Sequence, residues 1–467
     1  MQALSKFTPN VAISATCTEY VHPWINSCPK ASIGMCLCAF KDSFRIYCTV
    51  YFISLLMRRR IPTLNDLKHT FQGLLRSTWF LTTAAYGFPV FACSLRRLLG
   101  HFNVLTVGFL PAFLTSICAI VIERPTRRSL LALYVANCGT EAAWRMLEER
   151  NLVKSSKNRL MVLFGVCLSI LTFYYKKGFH LNFEKEPVFD AIKFIMGDIS
   201  VYENARTFPN QTSSIIVDTS QKNRKTLPGP KFFVQYGFLA CLIKYYIYML
   251  DKMKQLPIRN KCCPHNYSCV HYCMDGTVKL FGTGVLIQVA LKFVFQLRRT
   301  LKSPKTIFSK DTIKIGLFLG GFSAIFRTVS CLLRSLSGKD SELYIFPAVL
   351  LASTTLKNHP DASIVLYIMW KSLQLTFQIG KSKGYWKSIP LFTEFLYCFF
   401  TALLFHSALV EPRTLRLSYW RFLMGLSGGR VAVMNRKPID GFGYDTSTQL
   451  NEILVKTRSK VPDGFFW

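Results

Sequence analysis

Apolar segments recur along this chain at near-regular intervals. In the first half they lie near 44–57, 77–95, 103–122, 129–146 and 160–175, and in the second near 276–296, 312–333, 342–357, 362–379 and 389–410. No Asp, Glu, Lys or Arg interrupts residues 77–95, 98–122 or 160–175. A soluble helix carries a polar face, and these stretches lack one. Runs of roughly 18 apolar residues read as membrane spans, and shorter ones span when flanking Lys and Arg snorkel. The segments 129–146 and 362–379 are short or charge-bearing, which fits partial burial or an interfacial position. The pattern predicts an all-α, multi-pass integral membrane helical bundle.

The chain also repeats itself. Cys93-Ser94-Leu95-Arg96-Arg97-Leu98-Leu99-Gly100 is answered by Cys331-Leu332-Leu333-Arg334-Ser335-Leu336-Ser337-Gly338, and Phe109-Leu110-Pro111-Ala112 by Ile345-Phe346-Pro347-Ala348. Leu133-Tyr134 is answered by Leu366-Tyr367 and Pro125 by Pro360, at an offset of about 235 residues throughout, as in membrane bundles built from two packed repeats. The expected organisation is two tandem homologous halves. A cysteine-bearing entry (1–43) precedes the first repeat (44–179). A polar linker with an extra apolar helix (180–260) and a Cys/His-rich box (261–275) lead to the second repeat (276–410) and a tail (411–467). Whether 232–250 spans decides if the repeats run parallel or inverted, and loop charges leave that open.

Basic residues outnumber acidic ones by 58 to 25, giving a formal net charge of +33. They cluster at segment ends, as in Arg58-Arg59-Arg60, Arg127-Arg128, Lys176-Lys177 and Arg298-Arg299. That placement suits anionic headgroups rather than nucleic acid, for which no aromatic–basic module is present. Residues 1–16 lack a signal-peptide pattern. Asn210 and Asn266 head glycosylation triplets, which also arise by chance.

Candidate chemistry is sparse. The box Cys262-Cys263-Pro264-His265-Asn266-Tyr267-Ser268-Cys269-Val270-His271-Tyr272-Cys273 offers six soft or imidazole donors: Cys262, Cys263, His265, Cys269, His271 and Cys273. Its spacing follows no standard zinc finger, so a structural zinc, disulfide or redox-labile pairs, and thiols packed in a membrane-proximal core all remain open. Cys17, His22, Cys28, Cys36 and Cys38 form a looser counterpart. Gly316, Gly320 and Gly321 put small residues on one helical face, as at close helix crossings in lipid. Glu141 and Arg145 stand one turn apart and are expected to pair. Glu394 and His406 are further membrane-embedded polar candidates for a polar pathway, with headgroup-level placement of Glu394 the alternative. Gly380-Lys381-Ser382 lacks the first glycine of a phosphate loop, since Leu375 stands there. No H-E-x-x-H helix occurs. No catalytic residue or cofactor is assigned, and an enzyme is not expected.

The most specific text is Thr414-Leu415-Arg416-Leu417-Ser418-Tyr419-Trp420-Arg421-Phe422-Leu423 with Arg430-Val431-Ala432-Val433-Met434-Asn435-Arg436-Lys437. Together with Ile122-Glu123-Arg124, Arg127-Arg128, Tyr134, Ala136-Asn137, Thr140-Glu141, the cysteine box and Gly316–Cys331, it resembles the transmembrane protein 135 family. The region Gly316–Cys331 is also similar to the broader translocase-inner-membrane and peroxisomal-membrane-protein superfamily. The resemblance implies a multi-pass protein of peroxisomal and mitochondrial membranes, linked to lipid droplets. It implies roles in mitochondrial dynamics, promoting fission through a dynamin-like GTPase, and in peroxisome organisation and fatty-acid metabolism. The expected partners are membrane lipids and that GTPase. In the tail, Tyr419 and Trp420 suit the headgroup region, and removal of 411–467 is expected to leave insertion intact. The rival expectation is a transporter or conduit for a lipid-derived metabolite, with its site between the two repeat halves.

Overall fold

A computed structural model describes residues 12–57, 63–154, 156–179, 186–197, 237–256, 262–263, 265, 267–295, 310–387, 389–459 and 461. Arg58-Arg59-Arg60, Arg298-Arg299, most of the linker and both glycosylation triplets' Asn residues lie outside them. The chain is 81% helical without strands among the described residues. The main helices are α1 (Cys28–Met57), α2 (Leu64–Leu99), α3 (Phe109–Ile122), α4 (Pro125–Glu149), α5 (Lys157–Lys176), α6 (Pro187–Met196) and α7 (Gly237–Lys254). There follow α8 (Cys269–Phe295), α9 (Lys310–Ser337), α10 (Ile345–Ala352), α11 (Ala362–Ser382), α12 (Phe392–Val410), α13 (Leu417–Leu426) and α14 (Thr446–Thr457).

Local chemistry sets their ends. Thr63 and Asp66 form a reciprocal capping box at the start of α2, and Gly100 closes that helix in the left-handed region at φ 76°. Pro125 opens α4 at a position whose N–H needs no partner. The Asp361 side chain accepts from Ser363 N–H at 2.8 Å and starts α11. Both α1 and α2 run longer than their apolar text, because polar first turns continue a helix whose later face is buried.

Among the described residues four helices are long and apolar enough to cross a membrane: Asn158–Lys176, Cys269–Phe293, Asp311–Ser337 and Phe392–Val410. Large apolar side chains on them stay uncovered by the rest of the chain, among them Leu286, Phe293, Leu317 and Phe395. Such a surface fits a lipid solvent. This is a membrane protein. The helix Gly237–Lys254 is not among the four candidate spans.

Two compact units form, and they do not follow the two sequence halves. Unit 1 comprises Met1–Ser155 with Lys387–Trp467, and unit 2 comprises Ser156–Trp386. In unit 1, α1 packs on α2, α2 on α3, and α12 lies against both α3 and α4. In unit 2, α8 packs on α9, α9 on α10, and α5 lies against both α10 and α11.

The C-terminal residues are core rather than tail. Trp420 is fully buried, and Tyr419, Leu423, Ile439 and Ile453 join it in the unit 1 core with Phe80, Phe88 and Leu409. This corrects the headgroup placement of Tyr419 and Trp420. Part of the expected polar linker is likewise structural: Val188, Phe189, Ile192 and Met196 of α6 are buried in the unit 2 core.

Candidate functional sites: a thiol–imidazole cluster, a cavity and buried ion pairs

The Cys/His box sits where the chain enters α8. The sulfurs of Cys263, Cys269 and Cys331 and a ring nitrogen of His265 converge, all within 4.8 Å of one another. Cys263 Sγ and Cys269 Sγ are 3.9 Å apart, and Cys331 Sγ is 3.6 Å from His265 Nε2. His265 Nδ1 is 2.6 Å from the Tyr267 carbonyl oxygen, and its ring stacks on Tyr272 with centroids 4.7 Å apart. Arg327 lies 4.4 Å over the other ring of that stack, Tyr272. A hydrogen bond from Cys331, reinforced by His265, holds the Cys263 thiol well below the usual thiol range despite burial.

Of the six candidates in the box, three converge. Cys262 instead donates to the Gly338 carbonyl at 2.9 Å, Cys273 accepts from Thr328 Oγ1 at 3.6 Å and also meets the Cys331 thiol from outside the group of four, and His271 packs edge-on against Tyr267. The fourth member, Cys331, comes from the far end of α9. It had been singled out only as the repeat partner of Cys93. In unit 1, Cys17, Cys28 and Cys93 form a three-sulfur counterpart within 4.8 Å. The hydrogen bond from Cys93 holds the Cys17 thiol low. His22 is fully buried beside this region, its Nδ1 2.9 Å from the Ile25 carbonyl oxygen and its Nε2 without a hydrogen-bond partner.

The glycine face is a seam inside the bundle. A Cβ on Gly284 of α8 would come 2.8 Å from Gly316 Cα, and one on Gly320 would come 2.9 Å from Phe281 Cβ. Gly321 faces Thr355 instead. Small residues therefore let α8 and α9 touch backbone to backbone.

The polar candidates of unit 1 are paired. Glu141 is shared by Arg145, one turn on, and Arg416, which starts α13 and also donates to Asn137 Oδ1 at 3.3 Å. Glu394, in the first turn of α12, meets Arg128 at 3.1 Å. Arg127 donates to Ser77 Oγ at 2.6 Å and to Tyr51 Oη at 3.0 Å, near the buried Glu123. Arg150 binds Glu411 at 2.5 Å. His406 is half-buried in α12 against Gly108 and Phe109, and its buried Nδ1 has no hydrogen-bond partner. Unpaired buried charge is expensive, and the Arg416–Glu141, Arg128–Glu394 and Arg150–Glu411 pairs tie separate elements together.

Unit 2 carries a half-open cavity of about 660 Å³. Phe164 and Leu168 of α5, Ile192 of α6, and Phe318 and Phe322 of α9 form apolar wall, while Gln288, His359, Asp361 and Tyr367 supply the polar part. Periodicity alone gives no sign of it, because it depends on how α5, α6 and α9 pack.

No solved structure matches the chain. Residues 14–147 match the model of the N-terminal cysteine-rich region of Transmembrane protein 135. That segment contains the sulfur triad Cys17, Cys28 and Cys93 and the paired groups Glu123, Arg127 and Glu141. Through this region the chain is similar to the transmembrane protein 135 family.

Proposed function

We propose that this protein is a non-enzymatic regulator in peroxisomal and mitochondrial membranes that senses or holds a lipid chain. It would associate with lipid droplets, support peroxisome organisation and fatty-acid metabolism, and promote mitochondrial fission through a dynamin-like GTPase. The organelles and the fission role rest on the family resemblance. The observation that carries the lipid part is the cavity in unit 2. It lies among α5, α8 and α9, three of the four helices suited to a bilayer, and its size falls within the roughly 300–1,000 Å³ of small-molecule sites. Its few polar groups, with His359 and Asp361 4.0 Å apart, suit the head of an amphiphile such as a fatty-acid derivative.

The test is Ile192→Trp, which fills the cavity, expressed in cells lacking the protein. Normal localisation with elongated mitochondria is expected. Mitochondria shortened as fully as by the wild type would overturn the reading.

A second reading, a conduit for a lipid-derived metabolite, draws on one further observation. Both sequence halves wall this cavity: Phe164 and Leu168 come from 44–179, and Phe318 and Phe322 from 276–410. Glu141 and Glu394 are held in ion pairs and do not line it. Flux of an acyl compound in reconstituted vesicles, reduced by Ile192→Trp, is the expected outcome of this reading; absence of flux removes it.

The duplication belongs to the same proposal. Helices α1–α5 and α8–α12 follow one order at the offset of the sequence repeats. The pairs α1–α2 and α2–α3 correspond to α8–α9 and α9–α10. The contacts of α12 with α3 and α4 correspond to those of α5 with α10 and α11. Two homologous blocks that exchange their fifth helices account for this pattern, since each unit then contains one complete set.

A further inference from the structure

We infer that Cys263, His265, Cys269 and Cys331 bind one zinc ion, which fastens the box to the end of the α8–α9 hairpin. Zinc bonds of about 2.3 Å to sulfur and about 2.0–2.1 Å to nitrogen, set tetrahedrally, place two sulfurs about 3.8 Å apart and a sulfur and nitrogen about 3.5 Å apart. The observed separations are 3.9 Å for Cys263–Cys269 and 3.6 Å for Cys331–His265. Disulfide sulfurs stand at about 2.05 Å, so the cluster has the spacing of a coordination shell rather than of a bridge.

The imidazole is prepared for this role. Its Nδ1–H donates to the Tyr267 carbonyl, which fixes the tautomer and leaves the Nε2 lone pair toward Cys331. Stacking on Tyr272 sets the ring plane, and His265 is only 7% exposed. Three thiolates with Zn²⁺ carry one net negative charge, and the Arg327 guanidinium, 4.4 Å from the centre of the Tyr272 ring, supplies a positive one. The donor set selects the metal: three sulfurs and an imidazole suit zinc, whereas calcium and magnesium require oxygen ligands. Four protein ligands complete the shell, which marks a structural site rather than a catalytic one with an open position.

Two of these four positions recur in unit 1. Cys28 and Cys93 stand at the repeat offset from Cys263 and Cys331, and they converge with Cys17. Two of the four positions thus carry clustered thiols in both units, whereas Cys17 has no counterpart at that offset. The unit 2 site does not depend on what the cavity holds.

The test is metal analysis of the full-length protein, purified in detergent without chelator. Cys263→Ser and His265→Ala should each lower zinc by one equivalent per chain. Cys262→Ser, which alters a neighbouring thiol outside the shell, should lower it by none. His265→Cys should retain zinc in a four-sulfur shell. Cobalt-exchanged wild type should show tetrahedral d–d absorption, shifted in His265→Cys; that spectrum carries the test if His265→Ala fails to fold. Folded wild type devoid of zinc, equal zinc in wild type and both loss variants, or an unshifted cobalt spectrum would overturn the inference.

Discussion

Unit 1 and unit 2 solve the same packing problem in opposite ways. Unit 1 fills its interior with residues from the end of the chain, and a cavity between α1, α2 and α13 measures only about 30 Å³. Trp420 is the plug, Arg416, Arg128 and Arg150 clamp carboxylates on neighbouring segments, and Arg145 pairs with Glu141 within its own helix. Unit 2 has no such C-terminal insert and retains about 660 Å³ of mostly apolar space. Its thiol cluster also gains a histidine and a fourth donor atom, where that of unit 1 brings three sulfurs together. On the proposed reading the unit 2 cavity is the one that holds a ligand.

The largest effects should come from breaking what makes unit 1 solid. Trp420→Ala empties a fully buried site and should cost about 3–5 kcal/mol. Glu141→Ala strands Arg416 and should cost about 3–5 kcal/mol, by analogy with breaking a buried pair. Thermal unfolding in detergent measures both. Deletion of 411–467 removes Trp420 and Arg416 together, so misfolding is expected in place of clean insertion. A deletion protein as thermostable as the intact chain would contradict the core assignment.

A smaller loss belongs to the α8–α9 seam of unit 2. Gly284→Ala drives a methyl group into the Gly316 backbone and should cost about 1–3 kcal/mol. Gly282→Ala, two residues away, meets nothing within 4 Å and should be neutral or slightly stabilising. Equal losses in the two variants would show that α8 and α9 do not touch there.

Acid should weaken unit 2 through Asp340. Burial pushes this carboxyl upward, but Arg334 at 2.9 Å and Lys176 at 3.1 Å outweigh it and hold it below the usual carboxylate range. A depressed acid stabilises the fold above its unfolded value, and that stability is lost as pH falls through the folded one. The thermal midpoint should therefore drop below about pH 4, an acid limb that Asp340→Asn should flatten. The smallest effect on stability is expected for Ile192→Trp, since the ring enters existing space.

The helices were largely legible in the sequence. The apolar run 160–175 became Lys157–Lys176, 362–379 became Ala362–Ser382, and 389–410 became Phe392–Val410. Single-helix periodicity reads these because their burial is local. It does not read partner choice, which is why α5 and α12 belong to units that the linear order does not suggest. Trp420 looked like an interfacial ring because the segments around it are short; only the packing of α13 on α1 and the core reveals its burial. The Glu141–Arg145 pair was legible from its one-turn spacing, whereas Arg416 joins from a distant helix. Cys331 lies far along the chain from the box, so spacing rules passed it over. The repeat had marked its position without assigning it a role.

The central claim is that unit 2 holds a lipid chain and unit 1 does not. The direct measurement is native mass spectrometry of the full-length protein released from mild detergent. The account predicts a bound acyl lipid on wild type, lost in Ile192→Trp and kept in a folded unit 1 variant such as Tyr134→Phe. Wild type free of bound lipid, or lipid retained at equal occupancy in Ile192→Trp, would contradict it.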